Sequence, residues 1–158
     1  MARRAVGSQQ EEQMDAVDLD AATYARVLTD LARVNRWTFT ARPTLLFLER
    51  AARGLQQFSL LDVGFGHGDM LRAVARWARK RGIAARLTGV DLNARSAEIA
   101  RKATPADFDI SYCTGDYRDL PGIFDFVVSS QVTHHMTDEQ LRGFLQFERS
   151  FYVILSGY

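Results

Sequence analysis

Leu61-Asp-Val-Gly-Phe-Gly-His-Gly68 decides the fold. It completes a short apolar run, Phe58-Ser-Leu-Leu-Asp-Val63, and leads into Met70-Leu-Arg-Ala-Val-Ala-Arg-Trp77, whose apolar residues recur three and four apart and stop near Gly82. That change of period across a glycine-rich turn predicts strand, turn and helix in succession. The glycines fall on every second position, where missing Cβ atoms let a loop bend tightly and bring a ligand against its main chain near the helix N-terminus. Taken alone, the turn also leaves open a plainer, secondary reading as a tight bend with no ligand.

Outward from this unit the same alternation continues. Arg86 to Asp91 predicts a second strand, Ala94 to Ala103 a second helix, Asp109 to Thr114 a third strand and Phe124 to Ser129 a fourth. Upstream, Tyr24, Val27, Leu28 and Leu31 recur at helical spacing, and so do Leu45, Leu46, Leu48, Ala51 and Ala52 after Pro43, predicting two leading helices. Downstream, Thr137-Asp-Glu-Gln140 has the character of a helix start, with Leu141, Phe144, Leu145 and Phe147 on one side, and Phe151 to Leu155 reads as a fifth strand. Alternating strands and helices argue for a parallel sheet with helices on its faces. Residues 1–17 are polar and aperiodic, the mark of a disordered start. The expected organisation is then one domain over 18–158, with leading helices at 20–55, a core at 56–148 and an atypical tail at 149–158.

Composition sets the bounds. A net charge of +1 gives no broad electrostatic reason to expect nucleic acid or an anionic membrane as partner. Eighteen arginines against two lysines, Lys80 and Lys102, reflect codon usage more readily than phosphate recognition. The single cysteine, Cys113, excludes an internal disulfide and a cysteine-based zinc cluster, which suits a reducing cytoplasm. No run approaches the length of a membrane span, and the opening residues do not resemble an export signal.

Acidic residues stand at successive strand ends. Asp91 closes the second strand, where a carboxylate can accept from a ribose diol, or else cap the helix that starts near Ala94. Gly115-Asp116-Tyr117 follows the third strand at the same edge. In this order and spacing the chain resembles the class I S-adenosyl-L-methionine-dependent methyltransferases, in particular their small-molecule branch, over about residues 25 to 148. The likeness implies a three-layer, Rossmann-like α/β fold with a mostly parallel sheet, lacking the usual last strands, so that the chain looks C-terminally truncated. It implies that Gly64, Gly66 and Gly68 hug the methionine part of S-adenosyl-L-methionine and that Asp62 positions its amino group through the loop. Asp91 would bind the ribose hydroxyls, Asp116 would accept from the adenine amino group, and Tyr117 or Leu92 would lie against the adenine ring. Ser129 and Ser130 would border the transferable methyl. Arg36-Trp37, Arg42-Pro-Thr44 and the run Ser129 to Gln140 are similar to methyltransferases found beside type III polyketide synthases.

Among catalytic candidates, His135 and then His134 follow the fourth strand, where an imidazole can take a proton from a hydroxyl or enol; the plainer reading is a loop histidine that packs or caps a helix. His67 reads as a wall of the cofactor site. Tyr24, Arg36, Trp37 and Arg42 are lid candidates, with core packing or solvation as the alternatives. A nicotinamide-dependent oxidoreductase is the rival enzyme class, but its fingerprint is Gly-x-Gly-x-x-Gly, whereas the spacing here is Gly-x-Gly-x-Gly. Nucleic-acid amino-methyltransferases carry an Asn/Asp-Pro-Pro-aromatic run where this chain has Ser129-Ser-Gln-Val132. The non-enzyme alternative is a truncated, inactive cofactor-binding fragment, and an apolar edge near Phe151 to Leu155 would favour self-association. The expected partner is a small molecule, with no metal.

Overall fold

In a computed structural model, residues 20–37, 41–130 and 152–156 are described. They form a five-stranded, fully parallel sheet of β1 (Gln57–Val63), β2 (Ala84–Asp91), β3 (Ile110–Thr114), β4 (Phe126–Ser130) and β5 (Tyr152–Ser156), in the spatial order β3-β2-β1-β4-β5. The chain starts at the centre, runs outward to β3, and returns to the other side of β1. The reversal of strand order between β1 and β4 is the place where open α/β sheets leave a crevice at their carboxyl ends.

A central strand must be apolar on both faces, and β1 is buried from Phe58 through Val63. Phe58 and Leu60 join a cluster with Leu48, Leu71, Val74, Trp77 and Ala97, which come from α2 (Arg42–Ala51), α3 (Asp69–Lys80) and α4 (Ala94–Ala103). Leu61 and Val63 face the other way, onto Val90, Phe124 and Val127, with Tyr117 and Leu120 packed against them. The helix expected over Thr137 to Phe147 lies outside the described residues. The remaining helix, α1 (Ala21–Trp37), opens on Asp20, whose Oδ1 accepts from the N–H groups of Ala22 and Thr23 at 2.9 and 3.0 Å.

Several strand boundaries differ from the sequence expectation: β2 begins at Ala84 rather than Arg86, β3 at Ile110 rather than Asp109, and β4 at Phe126 rather than Phe124. β4 begins at Phe126, because Asp125 is spent on an anchor: its Oδ2 accepts from the Ser59 N–H and hydroxyl at 2.7 and 2.9 Å, and its own N–H donates to the Ser59 carbonyl. A short 3-10 turn, Tyr117–Asp119, follows β3.

The least obvious determinant is Gly89, inside β2. A Cβ there would sit 2.6 Å from Phe65 Cδ1 and 2.8 Å from Leu71 Cδ1. Phe65 belongs to the glycine turn itself; it is buried and its ring lies 4.9 Å from that of Tyr112. The missing side chain therefore makes the space in which the turn is anchored. Gly89→Ala is expected to lower unfolding free energy by about 1–3 kcal/mol, the range for an overpacked core. In urea melts, Phe65→Leu/Gly89→Ala should lose less than the two single changes together; strict additivity would show that the two residues do not compete for the same space.

Candidate active site

Strand register brings the sequence-predicted residues to one edge. Val63 pairs with Val90 on β2 and with Ser129 on β4, while Asp91 pairs with Thr114 on β3. The glycine turn, Asp91, Gly115-Asp116 and Ser129 thus emerge within about one residue rise, roughly 3.3 Å, of a common line. This convergence is what the sequence spacing implied but could not establish.

The three glycines of the turn all have positive φ, at 73° for Gly64, 50° for Gly66 and 77° for Gly68, yet they do different work. Gly68 is the N-terminal cap of α3, and a Cβ on it would fall 2.6 Å from Tyr112 Oη. Tyr112 cannot easily yield, since its ring packs on Phe65 and its hydroxyl lies 2.8 Å from that of Thr104. Gly68 is therefore required by packing. At Gly66 a Cβ would meet only Leu28, at an ordinary 3.7 Å. No clash therefore excludes a Cβ at Gly66; the positive φ is what favours glycine there.

Asp91 holds this turn in place. Its Oδ2 accepts from the Gly66 N–H at 3.0 Å and its Oδ1 from the Asn93 N–H at 2.8 Å. The helix cap is Asn93, whose side chain accepts from the Arg95 N–H, so the reading of Asp91 as cap of α4 is corrected. The buried Ser96 hydroxyl is a further polar group that favours the ionised Asp91, and Tyr24 Oη lies 3.0 Å from Ser96 Oγ. Burial raises the Asp91 carboxyl above its ordinary range, and these hydrogen bonds act against the rise. Tyr24, a lid candidate, is instead a buried strut linking α1 to the site. Sequence reasoning missed Ser96 and Phe65; a glycine inside the β2 pattern was the available signal for the second.

Two polar atoms at this edge are buried without a partner: Asp62 Oδ1 and Ser129 Oγ. Burial pushes the Asp62 carboxyl well above the usual carboxylate range, and the nearby Asp69 and Asp91 push it further. His67, between Gly66 and Gly68, is pinned by Arg72, whose Nη1 donates to the His67 carbonyl at 2.7 Å and whose Nη2 lies 2.8 Å from Nδ1. A guanidinium only donates, so Nδ1 accepts and the proton of the neutral ring sits on Nε2. Burial, and then the Arg72 charge, hold the His67 pKa below its ordinary value.

Farther out, Asp116 caps the 3-10 turn by accepting from the Arg118 N–H at 2.9 Å and pairs with the Arg118 guanidinium, which lowers its pKa. Tyr117 is half-buried, and the Leu92 side chain is 79% exposed beside Asp91. Ser130 ends β4. His134 and His135 lie outside the described residues, and among the described residues no cluster of metal-ligating side chains is present. No described helix is long and apolar enough to cross a membrane.

A methyltransferase-domain family model matches residues 60–150. The chain belongs to that family, of the class I, S-adenosyl-L-methionine-dependent kind. No curated protein matches it in sequence. Among solved structures it is similar to the magnesium protoporphyrin IX methyltransferase of Synechocystis PCC 6803 with bound S-adenosylhomocysteine, at 22% identity and a TM-score of 0.61, over 78% of this chain and 56% of that one. The plantazolicin methyltransferase BpumL, in complex with a monoazolic desmethylPZN analogue and S-adenosylhomocysteine, aligns at 16% identity and a TM-score of 0.58, over 82% and 51%. The CMeT domain of the citrinin polyketide synthase aligns at 15% and 0.60, over 73% and 34%. Such identities establish the fold, and the chain spans less than two thirds of each of these structures.

The buried Asp62 carries a stability prediction. Its folded-state pKa lies above the unfolded value near 3.8, so the folded chain holds this proton more tightly. The contribution is full below the unfolded pKa and is lost as pH rises through the folded one. Asp62→Asn cannot ionise and should match the parent near pH 4, then exceed it increasingly toward pH 8 in denaturant melts. Parallel stability profiles for the two proteins would mean that Asp62 is not held in this way.

Proposed function

We propose that the chain binds S-adenosyl-L-methionine along the carboxyl edge of the sheet and transfers its methyl group to an oxygen or carbon of a small-molecule acceptor. Asp91 carries this reading: a part-buried carboxylate braces the glycine turn at the Gly66 N–H, at the edge where two buried polar atoms lack partners. Such a donor set suits a ligand with an amino group, a diol and an apolar ring system.

The cofactor supplies a methyl already activated by a sulfonium, so the protein's task is alignment and exclusion of water. In this reading Gly64 and Gly66 lie against the methionine portion, with Gly68 supporting them from beneath. Asp62 acts on the amino group through the loop. Asp91 keeps spare lone pairs for the ribose hydroxyls, since its described bonds use only part of its acceptor capacity. Leu92 and Tyr117 flank the adenine, and Asp116, kept ionised by Arg118, accepts from its amino group. Ser129 and Ser130 border the methyl. His135, with His134 second, takes the acceptor's proton. An acceptor of polyketide type is the narrower form of the proposal, supported by the likeness of Arg36-Trp37, Arg42-Pro-Thr44 and the run from Ser129 to Gln140, and a cytoplasmic site of action goes with the lone cysteine. The length relative to the solved structures supports a second reading, a cofactor-binding segment whose turnover needs further chain.

Calorimetry with S-adenosylhomocysteine tests the core of the proposal, and one site is expected. Heat with a nicotinamide dinucleotide and none with S-adenosylhomocysteine would replace the reading by the oxidoreductase one. Asp91→Ala should weaken S-adenosylhomocysteine binding by about 1–3 kcal/mol through lost charge-assisted hydrogen bonds. Gly66→Val should abolish binding while the far-ultraviolet circular dichroism stays near that of the parent; retained affinity in either variant would remove that residue from the site.

A further inference from the structure

A groove of about 710 Å³ runs between α1, α2 and α3, away from the strand-end residues just described but touching them at His67 and Asp69. Its lining is chemically unlike the rest of the molecule. Five of its fifteen residues are arginine, whereas the whole chain of 158 has eighteen. Against them stand two carboxylates, Glu49 and Asp69. With His67 neutral the lining carries +3, while the entire chain carries +1, so everything outside the groove sums to −2. A cleft of one sign with low-dielectric walls focuses its potential on whatever enters.

Three of the five arginines are engaged locally. Arg33 pairs with Asp30, Arg81 with Glu49, and Arg72 with the carbonyl and ring of His67. Arg42 opens α2 and Arg76 lies midway along α3, and among the described residues neither has a hydrogen-bond or ion-pair partner. Leu45, Leu46 and Trp77 add an apolar wall. A cavity of this size, with an apolar wall and a few polar groups, has the make-up of a small-molecule site.

We infer that this groove takes an anionic aryl or alkyl ligand, with Arg42 and Arg76 on its carboxylate or phosphate and Leu45 and Leu46 against its apolar body. This rests on the methyl-transfer reading only in making that ligand the methyl acceptor: His67 is shared between the groove and the glycine turn, so a molecule held by the arginines has its other end beside the donor. The His67 tautomer fits the role. With Nδ1 committed to Arg72, the ring offers a donor at Nε2 and no base.

Calorimetry on the full chain with 1-naphthoate, 1-naphthyl phosphate and the neutral 1-naphthamide tests the proposal, with S-adenosylhomocysteine titrated in parallel. At least one anion should bind tenfold or more tightly than the amide, and the stronger of the two tells a carboxylate ligand from a phosphate one. The R42Q/R76Q double variant should lose that preference while binding S-adenosylhomocysteine within twofold of the parent; both side chains are exposed, and thermal melts check that the fold is kept. Equal affinity for anions and amide, an unchanged preference in the double variant, or displacement of the anion by S-adenosylhomocysteine would each overturn the proposal. Heat with S-adenosylhomocysteine but none with any naphthyl probe overturns it while leaving the methyltransferase reading intact. Anion binding without S-adenosylhomocysteine binding does the reverse: the anion groove stands and its assignment to a methyl acceptor falls.

Discussion

Two backbone N–H groups from different parts of the chain converge on the Asp91 carboxylate, one from Gly66 in the turn after β1 and one from Asn93 before α4. Removing that carboxylate would leave both donors to find other partners near a largely buried edge, where an unmade hydrogen bond is expensive. Through Ser96 and Tyr24 the same carboxylate reaches α1. One strand-end residue therefore ties together the turn, the start of the second crossover and the helix that precedes the sheet.

Beneath the turn the constraint is steric. Phe65 occupies the volume that a side chain at position 89 would need, Tyr112 lies on Phe65, and the Tyr112 hydroxyl fills the space beside Gly68. Protein interiors are close-packed, so each of these residues fixes the next. Two glycines that look alike in sequence thus have separate causes: Gly68 answers to the core below it, and Gly66 to the positive φ of the turn.

The electrostatics favour the edge at some cost in stability. Asp62 is buried with one oxygen unpartnered and with Asp69 and Asp91 nearby, and Ser129 buries a hydroxyl without a bond. A chain selected for stability alone would fill these places with apolar side chains. On the helical side, Arg72 spends a buried guanidinium on His67 rather than on a carboxylate. Local inconsistencies of this kind are expected where a fold accommodates a ligand.

Much of this was legible along the chain. The change from strand to helix period around Gly64 to Gly68 identified the central unit, and α4 matches its expected bounds of Ala94 to Ala103, because residue periodicity is a local signal. The acids at successive strand ends were visible as well, since a parallel sheet returns to the same edge after every crossover. What sequence could not supply was any relation that depends on register or on volume. That Asp91 bonds Gly66 rather than capping α4, that Asp125 anchors Ser59 and shortens β4, and that Gly89 exists for Phe65 all follow from atoms brought together across the fold. The arginines of the groove were no more informative in a chain so rich in arginine. Two separate helices, α2 and α3, had to pack before Arg42 and Arg76 shared one surface, because charge has meaning for a ligand only through its position in space, and sequence records order alone.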